Sequence, residues 1–166
     1  MPEHSAPFMQ AMSQGTAFLE GEYLFLTADD WLMAIGYPLS GEYAHDSFER
    51  ALAAACEQTG AVVEEYSVAP CFMGLNTRGA HEWVLEFSER PDTPEHFAEV
   101  LDRELRSVNS DYDAKRRTTL ERQRLTVVDR GLFLAWLRAR GKNKVPRLVN
   151  DRHVAEEILA FGGEKK

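Results

Sequence analysis

Lys142, Lys144 and Arg147 fall within six residues of one another, with Pro146 just before the last of them. Proline locks its own φ and pushes the residue before it toward extended backbone, so this segment is expected to run extended and to place Lys142 and Lys144 on one side. Two ammonium groups and a guanidinium presented in this way can hold a phosphate or a carboxylate, the ammonium as a point charge and the guanidinium through paired hydrogen bonds. They close a longer basic run. From Lys115 to Arg147 there are eleven Lys and Arg residues and two acids, Glu121 and Asp129. The whole chain is acidic, with 27 Asp+Glu against 19 Lys+Arg and a net charge of −8. This contrast reads the run as a site for a small anion or an acidic partner surface, with Lys115, Arg116, Lys142 and Arg147 as the binding candidates. The plainer reading is a solvated helical face whose cations offset the partial negative charge of helix C-termini. Nucleic acid fits poorly, because no aromatic side chains are interleaved with the arginines and the rest of the chain would repel phosphate.

Other chemistries lack their residues. There is no CxxC pair, and His4, His45, His81, His96 and His153 have no ligand spacing, so no metal is expected. The glycine patterns of dinucleotide sites, phosphate loops and nucleophile elbows are missing, so no cofactor is expected to bind this chain alone. Cys56 falls on the apolar face of a helix and reads as a core thiol. Cys71 opens a loop, with nothing nearby in sequence to lower its pKa. Asp111 and Asp113 lie two residues apart, on different sides of a helix, and read as capping groups and not as a catalytic pair. No window approaches the ~20 apolar residues of a membrane span, and no basic-then-apolar leader opens the sequence. Two cysteines provide no disulfide framework. These features lead us to expect a soluble, cytoplasmic protein.

The elements that must position these side chains follow from hydrophobic period and turn residues. Residues 1–16 read as a loose arm, 17–162 as one α+β domain and 163–166 as a tail. Strands are expected over 17–26, 61–69, 80–88 and 125–128, with an apolar run of ambiguous type at 31–35. Helices are expected over 45–59, from Thr93-Pro94-Glu95 through Val108, and over 111–118, 132–140 and 150–160. Trp83, Leu85 and Phe87 should share one face of their strand and pack on Phe97, Leu101 and Leu105. The order suits a small antiparallel sheet covered by helices.

Several collinear segments point further. Asn109-Ser110-Asp111-Tyr112-Asp113-Ala114-Lys115-Arg116 and Asn143-Lys144-Val145-Pro146-Arg147-Leu148 resemble signature segments of the auxin-responsive acid–amido synthetase family, in its bacterial form. So do Cys56-Glu57-Gln58-Thr59-Gly60-Ala61, Gly79-Ala80-His81-Glu82-Trp83 and the stretch from Val128 to Leu137. The likeness runs from about Ser47 to Leu159. It implies the C-terminal domain of an acyl-adenylate-forming enzyme, a lid that closes over a separate adenylating domain holding ATP, magnesium and a carboxylic acid.

Under that resemblance Lys144 is the candidate catalytic group. Negative charge builds on phosphate during adenylation, and a lysine delivered by a closing lid stabilises it where it develops. Arg147 would contact a phosphate or carboxylate, or would lock the segment to its own domain through Asp111 or Asp113. Asn109, Asp111 and Tyr112 would be scaffold. The sequence also departs from the family pattern, since Ala28-Asp29 stands where a Gly-Arg hinge pair is usual. The loop before Lys144 is shorter, and Lys142-Asn143 replaces its glutamine. Two expectations result. Either the domain contributes to acyl-adenylate and amide formation together with an adenylating domain in trans, or it is a non-catalytic module whose segment 115–147 holds an acidic partner or small anion.

Overall fold

The computed structural model describes residues 42–163. The arm at 1–16, the strand at 17–26, the run at 31–35, the hinge position at 28–29 and the tail beyond 163 lie outside those residues.

The first element is helix α1 (Glu42–Thr59), which begins three residues before the expected start. Its buried stripe of Phe48, Ala51, Leu52 and Ala55 follows the helical period. Gly60 stops it at φ +70°, a left-handed conformation that side chains with a Cβ rarely adopt. Strand β1 (Val62–Cys71) and strand β2 (Ala80–Glu89) then pair antiparallel, with Val68 opposite Trp83. Helix α2 (Pro94–Val108) starts as its sequence indicates, with the Thr93 hydroxyl accepting from the His96 N–H at 3.2 Å. Helix α3 (Ser110–Thr118) is capped by Asn109, whose side chain accepts from the Tyr112 N–H at 2.9 Å. Strand β3 (Arg124–Val128), helix α4 (Leu132–Ala139) and helix α5 (His153–Gly163) complete the described chain.

The class is α+β, as expected, but the three-stranded sheet is mixed. Its order is β1-β2-β3, and β3 runs parallel to β2, with Leu85 opposite Val127. The α2–α3 crossover carries the chain back across one face before β3 enters, which is what a parallel partner requires. The apolar pattern of a five-residue strand is the same in either direction, so the purely antiparallel expectation had no local signal to correct it.

Because β2 is central, both of its faces are buried. Trp83, Leu85 and Phe87 join Phe48, Leu52, Tyr66, Phe97, Leu101, Leu105 and Tyr112 in one core beneath α1, α2 and α3. Val84 joins Ala69, Phe133, Trp136, Val145, Val154 and Ile158 in a second core beneath α4 and α5. The Phe87 and Phe97 rings meet edge to face, with centroids 5.2 Å apart, as the expected sheet–helix packing requires. Glu86, on the second face, is buried and accepts from the Gly131 and Phe133 N–H groups at 2.7 and 3.0 Å, so a carboxylate of the sheet caps α4.

Leu101 is fully buried at the centre of the first core. Leu101→Ala is therefore expected to lower stability by about 2–5 kcal/mol, measured by denaturant unfolding. A loss below about 1 kcal/mol, the scale of an exposed site, would mean that α2 presents a different face.

Candidate functional site

The segment holding Lys142, Lys144 and Arg147 is laid along the outer edge of β1. The Val68 N–H donates to the Arg147 carbonyl at 2.7 Å, and the Val149 N–H donates to the Val68 carbonyl at 3.2 Å. Val68 and Leu148 thus form an isolated parallel bridge. The Ser67 hydroxyl donates to the Pro146 carbonyl at 2.7 Å. At the other end of the segment, the Lys142 N–H donates to the Leu137 carbonyl at 2.9 Å, just past the end of α4. Gly141 makes that corner with φ +62°.

Between these anchors the chain forms neither helix nor strand. Val145 points into the second core at 3% exposure, while its neighbours Lys144 and Pro146 are exposed to solvent. Lys142 is exposed too. Among the described residues, no ion pair involves Lys142 or Lys144. Lys144 stands on the wall of a cleft of about 590 Å³ lined by Glu49, Glu65 and residues 143–148.

Arg147 is engaged within the protein. Its Nε donates to Glu65 Oε1 at 3.1 Å and its Nη1 to Glu49 Oε1 at 2.8 Å. Its guanidinium carbon lies 5.1 Å from the centroid of the Tyr66 ring. The Tyr66 hydroxyl donates to Glu49 Oε1 at 2.6 Å. Partial burial works against the Arg147 charge, and the carboxylates of Glu65 and Glu49 more than offset it, so the guanidinium pKa stands above its ordinary value. Burial, reinforced by Glu49, pushes the Tyr66 phenol well above its usual range. Arg147 therefore does meet internal carboxylates, though not the expected ones. Asp113 is taken by Arg106 at 2.6 Å and Arg117 at 2.5 Å, while Asp111 is exposed in the first turn of α3.

The other candidate cations are placed away from the cleft. Lys115 and Arg116 sit in the last turn of α3, which contributes nothing to its lining. Arg116 is held inside the fold, with Nε and Nη2 donating to Asp102 at 2.7 and 3.0 Å and Nη1 donating to the Leu120 carbonyl at 3.0 Å. Asn109 and Tyr112 are buried within the fold, in keeping with the scaffold role the resemblance implies. Cys56 packs against the first core, and burial raises its thiol pKa. Cys71 is also half-buried, and burial raises its pKa despite Arg152, whose Nη1 lies 3.5 Å from the sulfur. Among the described residues, no group of three or more His, Cys, Asp or Glu could hold a metal ion, and no helix is long and apolar enough to cross a membrane.

Glu49, Glu65 and Tyr66 had no signal in the sequence. Arg147 reaches the two glutamates across 98 and 82 residues of chain, and neither glutamate belongs to a motif. A second cleft, of about 410 Å³, opens between the end of β3, the start of α4 and the end of α5. It shares no lining residue with the first, and the α4 N-terminus there, a natural place for an anion, is already capped by Glu86.

The sequence matches the GH3 family C-terminal domain over residues 46–153. Among solved structures, the chain resembles an AtGH3.15 acyl acid amido synthetase in complex with 2,4-DB, at 15% identity and a TM-score of 0.52. That alignment covers 70% of this chain and 23% of the synthetase. A second structure of a GH3.15 acyl acid amido synthetase aligns at 16% identity and a TM-score of 0.48, over 86% of this chain and 24% of that one. The chain thus spans about a quarter of the length of the synthetases it resembles. No curated protein matches it significantly.

Proposed function

As this chain belongs to the GH3 family through its C-terminal domain, we propose that it is a lid domain that acts with an adenylating domain in forming an acyl-adenylate and then an amide, and that Lys144 is the group it delivers. The reading implies a partner domain that supplies the ATP and magnesium site, since these 166 residues carry no nucleotide-binding motif. It also implies a cytoplasmic setting in which ATP is at hand.

One observation carries the proposal. Lys144 is the cation of the matching segment that faces solvent on a stretch of chain anchored at both ends, and it has no carboxylate partner among the described residues. An amine so placed can meet an oxygen of a phosphate brought by another domain. It would stabilise the negative charge that grows there as the acid attacks and pyrophosphate leaves. Pinning the chain on both sides of Lys144 supports this role, because preorganised charge need not be reoriented during the reaction.

The test is to combine the protein with a GH3 adenylating domain stripped of its own lid and to follow amide formation from a carboxylic acid, an amino acid and ATP. Addition of the protein is expected to raise the rate, and Lys144→Ala to lower that rate by about a hundredfold, the scale of one lost charge-stabilising donor. No gain in rate over the adenylating domain alone would overturn the proposal.

A second reading draws on the cations that remain exposed. Arg130, Arg138, Lys142 and Lys144 are on the surface and lie in no ion pair among the described residues. They would suit a non-catalytic module that holds an acidic partner or a small anion. Retained binding to the adenylating domain with no change in its rate would favour that role.

A further inference from the structure

We propose that Arg147 is a positioning residue, one that fixes the main chain presenting Lys144 and does not itself bind the anion. This inference rests on the lid reading for what Lys144 does, and it concerns how the fold holds that lysine in place.

The charge around Arg147 decides against a ligand role. Two carboxylates, from Glu49 on α1 and Glu65 on β1, share one guanidinium at 2.8 and 3.1 Å. Their sum leaves a negative surround, which repels a phosphate or carboxylate approaching from that side. Both carboxylates are themselves held. The Tyr66 hydroxyl donates to Glu49 Oε1, and the Tyr66 N–H donates to Glu65 Oε1 at 3.0 Å. Arg147 therefore ties α1 to β1, and its own carbonyl, accepting from Val68, ties the lysine segment to both.

Arg147 lies three residues from Lys144, so its placement sets the register in which Lys144 leaves the sheet edge. A lysine at 147 could not reproduce the arrangement, because one ammonium does not present the planar fork that reaches two carboxylates while lying over a ring.

Amide hydrogen exchange of the full chain reads the anchoring directly at the N–H groups of Val68 and Val149. Arg147→Lys is expected to speed exchange there by at least about tenfold while the amides of α2 keep their protection, since a local opening leaves the core intact. Glu49→Gln and Glu65→Gln, which keep an acceptor oxygen and remove one charge each, are expected to give smaller increases. In the reconstituted amide-forming reaction, Arg147→Lys is expected to lower kcat with little change in the KM for ATP, the pattern of a misplaced group.

Unchanged exchange at Val68 and Val149 would overturn the inference. So would a raised KM for ATP with kcat retained, which would make Arg147 an anion ligand. If Lys144→Ala leaves the rate untouched, the lid reading fails, and the exchange measurement still decides whether Arg147 anchors the segment.

Discussion

Asp102→Ala is expected to lower the stability of the domain by about 3–5 kcal/mol, the scale for removing one partner of a buried ion pair. Asp102 is buried on α2 and accepts both Nε and Nη2 of Arg116. The Tyr112 hydroxyl donates to the same carboxylate at 2.7 Å. The Arg116 and Asp102 side chains are 15% and 11% exposed, so the alanine variant would leave a guanidinium largely removed from water without its counter-charge. With Asp102 present its hydrogen bonds hold the Arg116 pKa above its ordinary value; without it a guanidinium still keeps its proton, so the side chain does not escape by losing its charge. Urea unfolding is the measurement. The double variant Asp102→Leu/Arg116→Met should recover part of the loss, because it removes both charges together. A single-variant loss below about 1 kcal/mol would mean that water reaches Arg116 and that the pair does little to join α2 to α3.

The second expected result is an acid sensitivity set by His81. This residue lies on β2, fully buried, with its ring near those of Phe48 and Tyr112. Neither ring nitrogen meets a hydrogen-bond partner among the described residues. Burial pushes its pKa down to about 3. A histidine in the unfolded chain titrates near 6.5, so between these values the unfolded state binds a proton that the folded state excludes. Stability from this source is therefore complete above about pH 6.5, falls as the pH drops and is lost as the pH nears 3. The slope reaches about 1.4 kcal/mol per pH unit, and the total is of order 4–5 kcal/mol. His81→Leu, close in volume and unable to titrate, should flatten the pH dependence of the unfolding free energy between pH 6.5 and 4. If the wild-type and His81→Leu curves keep the same slope across that interval, His81 is hydrated and the assignment is wrong.

Much of the architecture was written locally. Thr93-Pro94-Glu95 starts α2, Gly60 ends α1, and Asn109 opens α3, because capping oxygens, a missing N–H and a left-handed glycine act within a few residues. Alternation at Trp83, Val84, Leu85, Glu86 and Phe87 separated the two faces of β2 correctly, since the period of a strand does not depend on what covers it. The exposure of Lys144 was legible for the same kind of reason. Pro146 excludes a helix interior and favours an extended segment that presents its lysines.

What the tertiary structure alone decided is direction and partnership. Neither the parallel entry of β3 nor the covering of the sheet on both sides leaves a mark in the strand sequences, because both depend on the path of a crossover tens of residues long. Among the cations of the basic run, Arg116 turned inward to Asp102 and Arg147 was claimed by Glu49 and Glu65, while Lys144 meets no carboxylate among the described residues. A sequence carries charge sign and spacing. Which opposite charges come within about 3 Å is fixed only when elements far apart in the chain pack together, and at that distance the choice of partner separates a scaffold cation from one that can act.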